Sequence, residues 1–231
     1  MFRSLVFVGL AAFLVSCSPA IDPALQQKID GFYARAPRRP YPGSDTFFKP
    51  MPYAEGQYVI HGVTEGERKS VMKTSIVGHQ GDAWLIESYS LSASGETWVQ
   101  MLVRGLEKAA AGSMEGIHIL EVKVKHGEGG VEVLEGPALE MMRSVYRDML
   151  GTFLVDLKGA VEGGAVEVPA GVFPRTVKIT AQVRFLGTSF TSDAWYHSGV
   201  PINGLVKSVA RNGTSVMELL DFGLRGAMRS F

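Results

Sequence analysis

The chain has 231 residues, 23 basic against 23 acidic, 46% hydrophobic residues and a single cysteine. Balanced charge, with no basic run beyond a pair such as Arg38-Arg39, builds no positive field of the kind that phosphate backbones select, so nucleic acid is excluded as an expected partner. One cysteine excludes an intramolecular disulfide, and the apolar content suffices for the core of one domain, or at most two small ones.

Taken in chain order, Met-Phe-Arg-Ser is followed by an apolar run from Leu5 to Val15 that stops at Ser16-Cys17. About 11 apolar residues fall well short of the roughly 20 that a membrane-crossing helix needs, so residues 1–16 read as an export signal and not as a span. Leu14-Val15-Ser16-Cys17 resembles the lipobox of bacterial lipoproteins, in which the cut falls before a cysteine carrying diacylglycerol. Cleavage there leaves 215 of the 231 residues with 22 basic against 23 acidic, because only Arg3 is lost. More than one acyl chain on Cys17 anchors stably, each buried methylene contributing about 0.8 kcal/mol. The expected first partner is therefore a membrane. Ser18, in place of aspartate after the cysteine, resembles lipoproteins sorted to the outer membrane, which implies a protein facing the periplasm.

Residues 17–52 form the expected N-terminal region of lipidated cysteine, short helix and Pro-rich tether. Asp22-Pro23 reads as a helix cap with proline at the first helical position, and Leu25, Ile29 and Phe32 recur at helical spacing. Prolines at 37, 40, 42, 50 and 52 then favour an extended strap.

Residues 53–231 read as one domain. Period-two alternation predicts strands at 57–63, 70–77, 83–91, 96–103 and 117–125, the last with Leu120, Val122 and Val124 on one face. Pro137 to Lys158 breaks the run, with Leu139, Met142, Tyr146, Met149, Leu150, Phe153 and Leu157 spaced by three and four, the pattern of a five-turn helix with one broad apolar face. Strands resume at 165–168, 175–185, 189–196, 204–210 and 214–222, and Asn212-Gly213 reads as a two-residue type I′ hairpin turn. The expected fold class is α+β, mainly β: a large curled antiparallel sheet of about ten strands, an open half-barrel, wrapped around one long amphipathic helix.

An exported lipoprotein so organised is similar to the LolA/LolB superfamily of periplasmic lipid and lipoprotein carriers. The likeness includes Val166-Glu-Val-Pro-Ala-Gly-Val-Phe173 and Trp195-Tyr-His-Ser-Gly-Val-Pro-Ile-Asn-Gly-Leu-Val-Lys207, which resemble corner segments of lipoproteins of this type. In that superfamily sheet and helix enclose an apolar cavity for acyl chains. The resemblance implies such a cavity here, drawing on Trp84, Trp98, Met142, Met149 and Phe153, with the amphipathic rings of Trp195 and Tyr196 at its mouth.

No cofactor and no metal is expected, since the histidines at 61, 79, 118, 126 and 197 share no metal-ligand spacing such as H-E-x-x-H. No G-x-S-x-G elbow or P-loop occurs, and His197-Ser198 has no acidic third partner nearby, so the chain is not expected to be an enzyme. Two functions follow as expectations: a membrane-anchored binder of a lipid or acyl chain, and, as the alternative, a non-catalytic scaffold that assembles with another envelope protein.

Overall fold

The computed structural model describes residues 22–41, 51–107, 115–141, 143, 159–185 and 188–231. Residues 1–16, Cys17, Met142, Met149 and Phe153 lie outside them, as do 144–158 of the expected long helix.

Helix α1 (Pro23–Ala34) begins as its sequence dictates, with Asp22 accepting the Ala24 N–H through Oδ1 at 2.8 Å and proline in the first turn. Among the described residues twelve strands follow: β1 (Arg39–Pro40), β2 (Tyr58–Glu65), β3 (Arg68–Gln80), β4 (Ala83–Ser92), β5 (Gly95–Arg104), β6 (His118–His126), β7 (Val131–Val133), β8 (Val161–Val168), β9 (Gly171–Phe185), β10 (Thr188–Tyr196), β11 (Leu205–Ala210) and β12 (Val216–Gly223). They make one sheet in the order β1-β9-β10-β11-β12-β2-β3-β4-β5-β6-β7, with β8 on β9. Every pairing is antiparallel except the short β1–β9 contact. Each expected strand has its counterpart, and β1 and β7 are added.

The sheet folds back on itself. The Ala170 N–H, in the turn between β8 and β9, donates to the Leu219 carbonyl of β12 at 3.0 Å, although three strand positions separate β9 from β12. Between them lies the main core, in which Phe173, Val103, Val122, Val206 and Leu219 are completely buried. Tyr41 stacks on Phe173 at 4.4 Å from just beyond β1. That strand requires glycine at 171, because a Cβ there would stand 1.6 Å from the Arg39 carbonyl oxygen.

This corrects the expected fold class. The protein is mainly β, and among the described residues no long amphipathic helix lies within the curl. Residues 136–141 and 143 are helical, but Met141 is 63% exposed while Leu139 only partly packs on the core. The reason is that the inner face finds its apolar cover elsewhere: the β8–β9 hairpin and the 197–204 loop supply Val166, Val168, Phe173, Val200 and Ile202. Among the described residues the helix that packs on the sheet is α1, and it lies on the opposite face, with Ile29 buried against Ile60, Val71, Leu91 and Leu220. Farther along that outer face the C-terminal residues cover the buried Glu87 and Gln100. Ser230 donates to the Glu87 carboxylate from its N–H at 3.0 Å and its hydroxyl at 2.6 Å. Gln100 donates to the Phe231 carbonyl at 3.3 Å. A buried carboxylate is thus held by neutral donors, which removes the penalty of leaving it unpaired.

Two local expectations change as well. The β11–β12 connection spans residues 211–215, and Gly213 alone has positive φ (71°) while Asn212 does not, so it is not a type I′ turn. The Gly213 N–H donates to Ala210 at 2.8 Å, and Asn212 Oδ1 accepts the Thr214 N–H at 3.2 Å, an Asx arrangement that lengthens the loop. In β6 the alternation is broken: Leu102 pairs with Glu121 but Val103 pairs with Ile119, so Leu120 is the extra residue of a bulge. Ile119, not Leu120, joins Val122 and Val124 inside.

Candidate functional site

The segment Trp195 to Lys207 is built as a corner. The His197 N–H donates to the Gly204 carbonyl at 2.8 Å and the Val200 N–H to the His197 carbonyl at 3.1 Å, closing the loop between β10 and β11. Val200 and Ile202 point into the core, Ile202 with φ of 68°. Left-handed backbone at a β-branched residue costs of order 1–3 kcal/mol, which the burial of its side chain offsets. His197 Nδ1 accepts the Gly199 N–H at 3.1 Å, and its ring meets Phe173 edge-on at 5.4 Å. Its Nδ1 thus serves its own loop. His61 does the same from β2: Nε2 donates to the Leu205 carbonyl at 3.0 Å, and burial pushes its pKa down to about 4.

Of the tryptophans expected around one cavity, Trp84 and Trp195 both pack against the filled main core, and Trp98 does not join them. Strand parity separates Trp84 from Trp98: with β4 and β5 in uninterrupted register, Trp84 pairs with Val103 on the inner face, whereas Trp98 pairs with Tyr89 and Lys125 on the outer one. Trp84 donates to Glu107 Oε1 at 2.6 Å and lies 6.4 Å from the Tyr53 ring, whose hydroxyl pKa burial pushes up to about 12. Trp98 lies 5.0 Å from Tyr89, with the Lys125 ammonium 5.5 Å from its ring centre. Trp195 lies across from Lys178, whose ammonium is 5.0 Å from its ring. A Cβ added to Gly163 would stand 2.8 Å from Trp195 Cδ1, so the indole is seated on the β8 backbone. Trp195 also packs against the main core, while Tyr196, paired with Val177 and Leu205, has its hydroxyl raised by burial to about 12.

An open groove lies instead at the far end of β5 and β6. It encloses about 390 Å³ and is lined by Arg104, Ile117, His118, Ile119, Leu120, Glu140 and Arg143. That volume is within the range of small-ligand sites. Its floor is apolar, made by the nearly buried Ile117 and Ile119 and by Leu120, which the bulge displaces from the core. Arg104 and His118 are cross-strand partners on one wall, and Glu140 and Arg143 form the other from the helical residues after β7. Arg143 Nε donates to the Ile119 carbonyl at 2.9 Å, bonding the helical wall to the strand beside the bulge, and Arg143 also pairs with Glu140. Arg104 Nε donates to Asp82 Oδ1 at 2.9 Å.

The groove residues were not selected from the sequence, and the signal was there. Ile119-Leu120 are adjacent apolar residues in an otherwise alternating strand, and both cannot point inward without a bulge. Among the described residues no group of three or more His, Cys, Asp or Glu is placed to hold a metal ion. No protein-family model matches the chain, and no curated protein matches it. The likeness to the LolA/LolB carriers therefore stands on the residues quoted for it.

Proposed function

We propose that this protein is an envelope lipoprotein, anchored in a membrane of the outer-membrane type through acylated Cys17 and facing the periplasm, that binds a hydrophobic ligand such as a lipid or acyl chain. The observation that supports ligand binding is the groove at the β5–β6 end, where a strand bulge leaves Leu120 beside Ile117 and Ile119 under an opening with polar walls. Ile117 and Ile119 are nearly buried, so Leu120 supplies most of the apolar surface there that a ligand chain would cover, at about 25 cal/mol per Å². The anchor rests on the Leu14-Val15-Ser16-Cys17 sequence behind its apolar run.

The tests are direct. Cells given labelled palmitate incorporate it into the full chain and not into Cys17→Ser; unlabelled wild type removes the anchor from the proposal. Native mass spectrometry of the Cys17→Ser chain, made with its leader, finds copurified lipid, and a fluorescent acyl chain is displaced from it by palmitate. Lipid-free protein with no displacement overturns the ligand.

A second reading, a non-catalytic scaffold that assembles with an envelope protein, is favoured by the filled inner core and by the edge strand β7, whose Val131 and Val133 are exposed. Capture of a stoichiometric partner by lipid-free protein, lost in Val133→Lys, supports it over the first.

A further inference from the structure

The two arginines of the groove are held in a way that the apolar floor does not need. Each is fixed at Nε, Arg104 by Asp82 and Arg143 by the Ile119 carbonyl, so each guanidinium is oriented before any ligand arrives. A guanidinium carries five N–H donors in a planar fork. Among the described residues Arg104 spends one of them, and Arg143 spends that at Nε and one toward Glu140. The remaining donors belong to side chains on opposite walls of one groove, with His118 beside Arg104 on the strand wall. Glu140, 69% exposed, is the only carboxylate lining it among the described residues.

From this we infer that the groove takes an amphiphile with an anionic head, a carboxylate or a phosphate, with Arg104 and Arg143 engaging the head from the two walls while the chain lies on Ile117, Ile119 and Leu120. Planar forks match such oxyanions bidentately, and a hydrogen bond assisted by charge is about twice as strong as a neutral one. Orientation at Nε reduces the rotamer entropy lost on binding. The inference deepens the ligand-binding reading and rests on it.

The experiment compares three ligands of equal chain length, palmitate, hexadecyl phosphate and monopalmitoylglycerol, by displacement of a fluorescent acyl chain from the Cys17→Ser protein and from Arg104→Gln and Arg143→Gln made in it. The wild-type groove is expected to bind both anions about tenfold more tightly than the glyceride, the scale of a charged hydrogen bond. The tighter of the two anions names the head group. In Arg104→Gln, a surface substitution that leaves the β6 contact of Arg143 intact, the ratio falls toward one. Arg143→Gln lowers the ratio as well. Equal affinity for all three ligands in wild type overturns the anionic head and leaves the ligand reading standing, as does a ratio that survives Arg104→Gln. No binding of any ligand overturns both.

Discussion

The inner face of the curled sheet and the groove at the β5–β6 end are both bordered by residues of β6, yet one is closed and the other open. Inside, Val122 and Val124 alternate regularly and belong to one buried cluster with Phe173, Val200 and Leu219. Two residues earlier the alternation fails at Leu120, the backbone bends, and the Ile119 carbonyl is taken by Arg143 instead of continuing the arrangement. A curled sheet therefore does not by itself make a cavity. Where its inner face is covered by its own hairpins it is a core, and space appears where the ladder is interrupted.

The comparison breaks most strongly at Phe173. Completely buried, and stacked on Tyr41, it should cost about 3–5 kcal/mol on replacement by alanine, read as a lower midpoint in urea unfolding. A loss under about 1 kcal/mol would mean that the curl tolerates a void and is closer to a binding cavity than to a core. Gly171→Ala comes next: the added methyl would overlap the Arg39 carbonyl, so β1 must leave β9 or shift, at about 1–3 kcal/mol, and hydrogen exchange of the Arg39 and Tyr41 amides should accelerate.

The buried histidine sharpens the closed side through pH. His61 has a folded pKa lowered to about 4 from 6.5, so the unfolded chain binds the extra proton first. Its contribution is complete above pH 6.5 and is lost progressively as the pH falls toward 4, at up to about 1.4 kcal/mol per pH unit. His61→Gln should flatten that slope between pH 6.5 and 4 in urea titrations. An unchanged slope would assign the acid sensitivity elsewhere. Asp193 contributes only lower down: hydrogen bonds from Thr180, Lys178 and Arg211 hold its carboxyl down to about 2, so its stabilisation is present above 3.8 and is lost as the pH falls through 2.

Smaller effects separate the two regions by readout. Trp195→Ala should lower stability by about 1–2 kcal/mol through lost packing on β8 and leave acyl-chain displacement unchanged. A selective loss of ligand affinity would return this indole to the site. Leu120→Ser should do the reverse, shifting stability by about 0.5 kcal/mol while weakening displacement about tenfold. Equal loss of both would make the bulge architecture alone.

Much of this was legible in the residues. Asp22-Pro23 predicted where α1 starts because a side-chain acceptor and a fixed φ act within one turn, and ten strands followed from alternation, which is also local. The five-turn helix was legible only as a pattern: three- and four-residue spacing states that a segment has an apolar side, not what covers the sheet. Trp84 and Trp98 looked equivalent because each lies in an alternating run, and only the β4–β5 register assigns them to opposite faces. β1 and β7 were missed because two or three residues carry no period.

By itself, then, the sequence determined the local quantities: where α1 is capped, where the strands run and the exclusion of an intramolecular disulfide. Tertiary structure alone decided which face each strand buries, that hairpin and loop side chains fill the curl, and that Arg104 and Arg143 share one groove across 39 positions of chain. The reason is physical. Capping and alternation are set by bonds within a few residues, whereas register and cover are set by the total apolar surface that distant segments bury together.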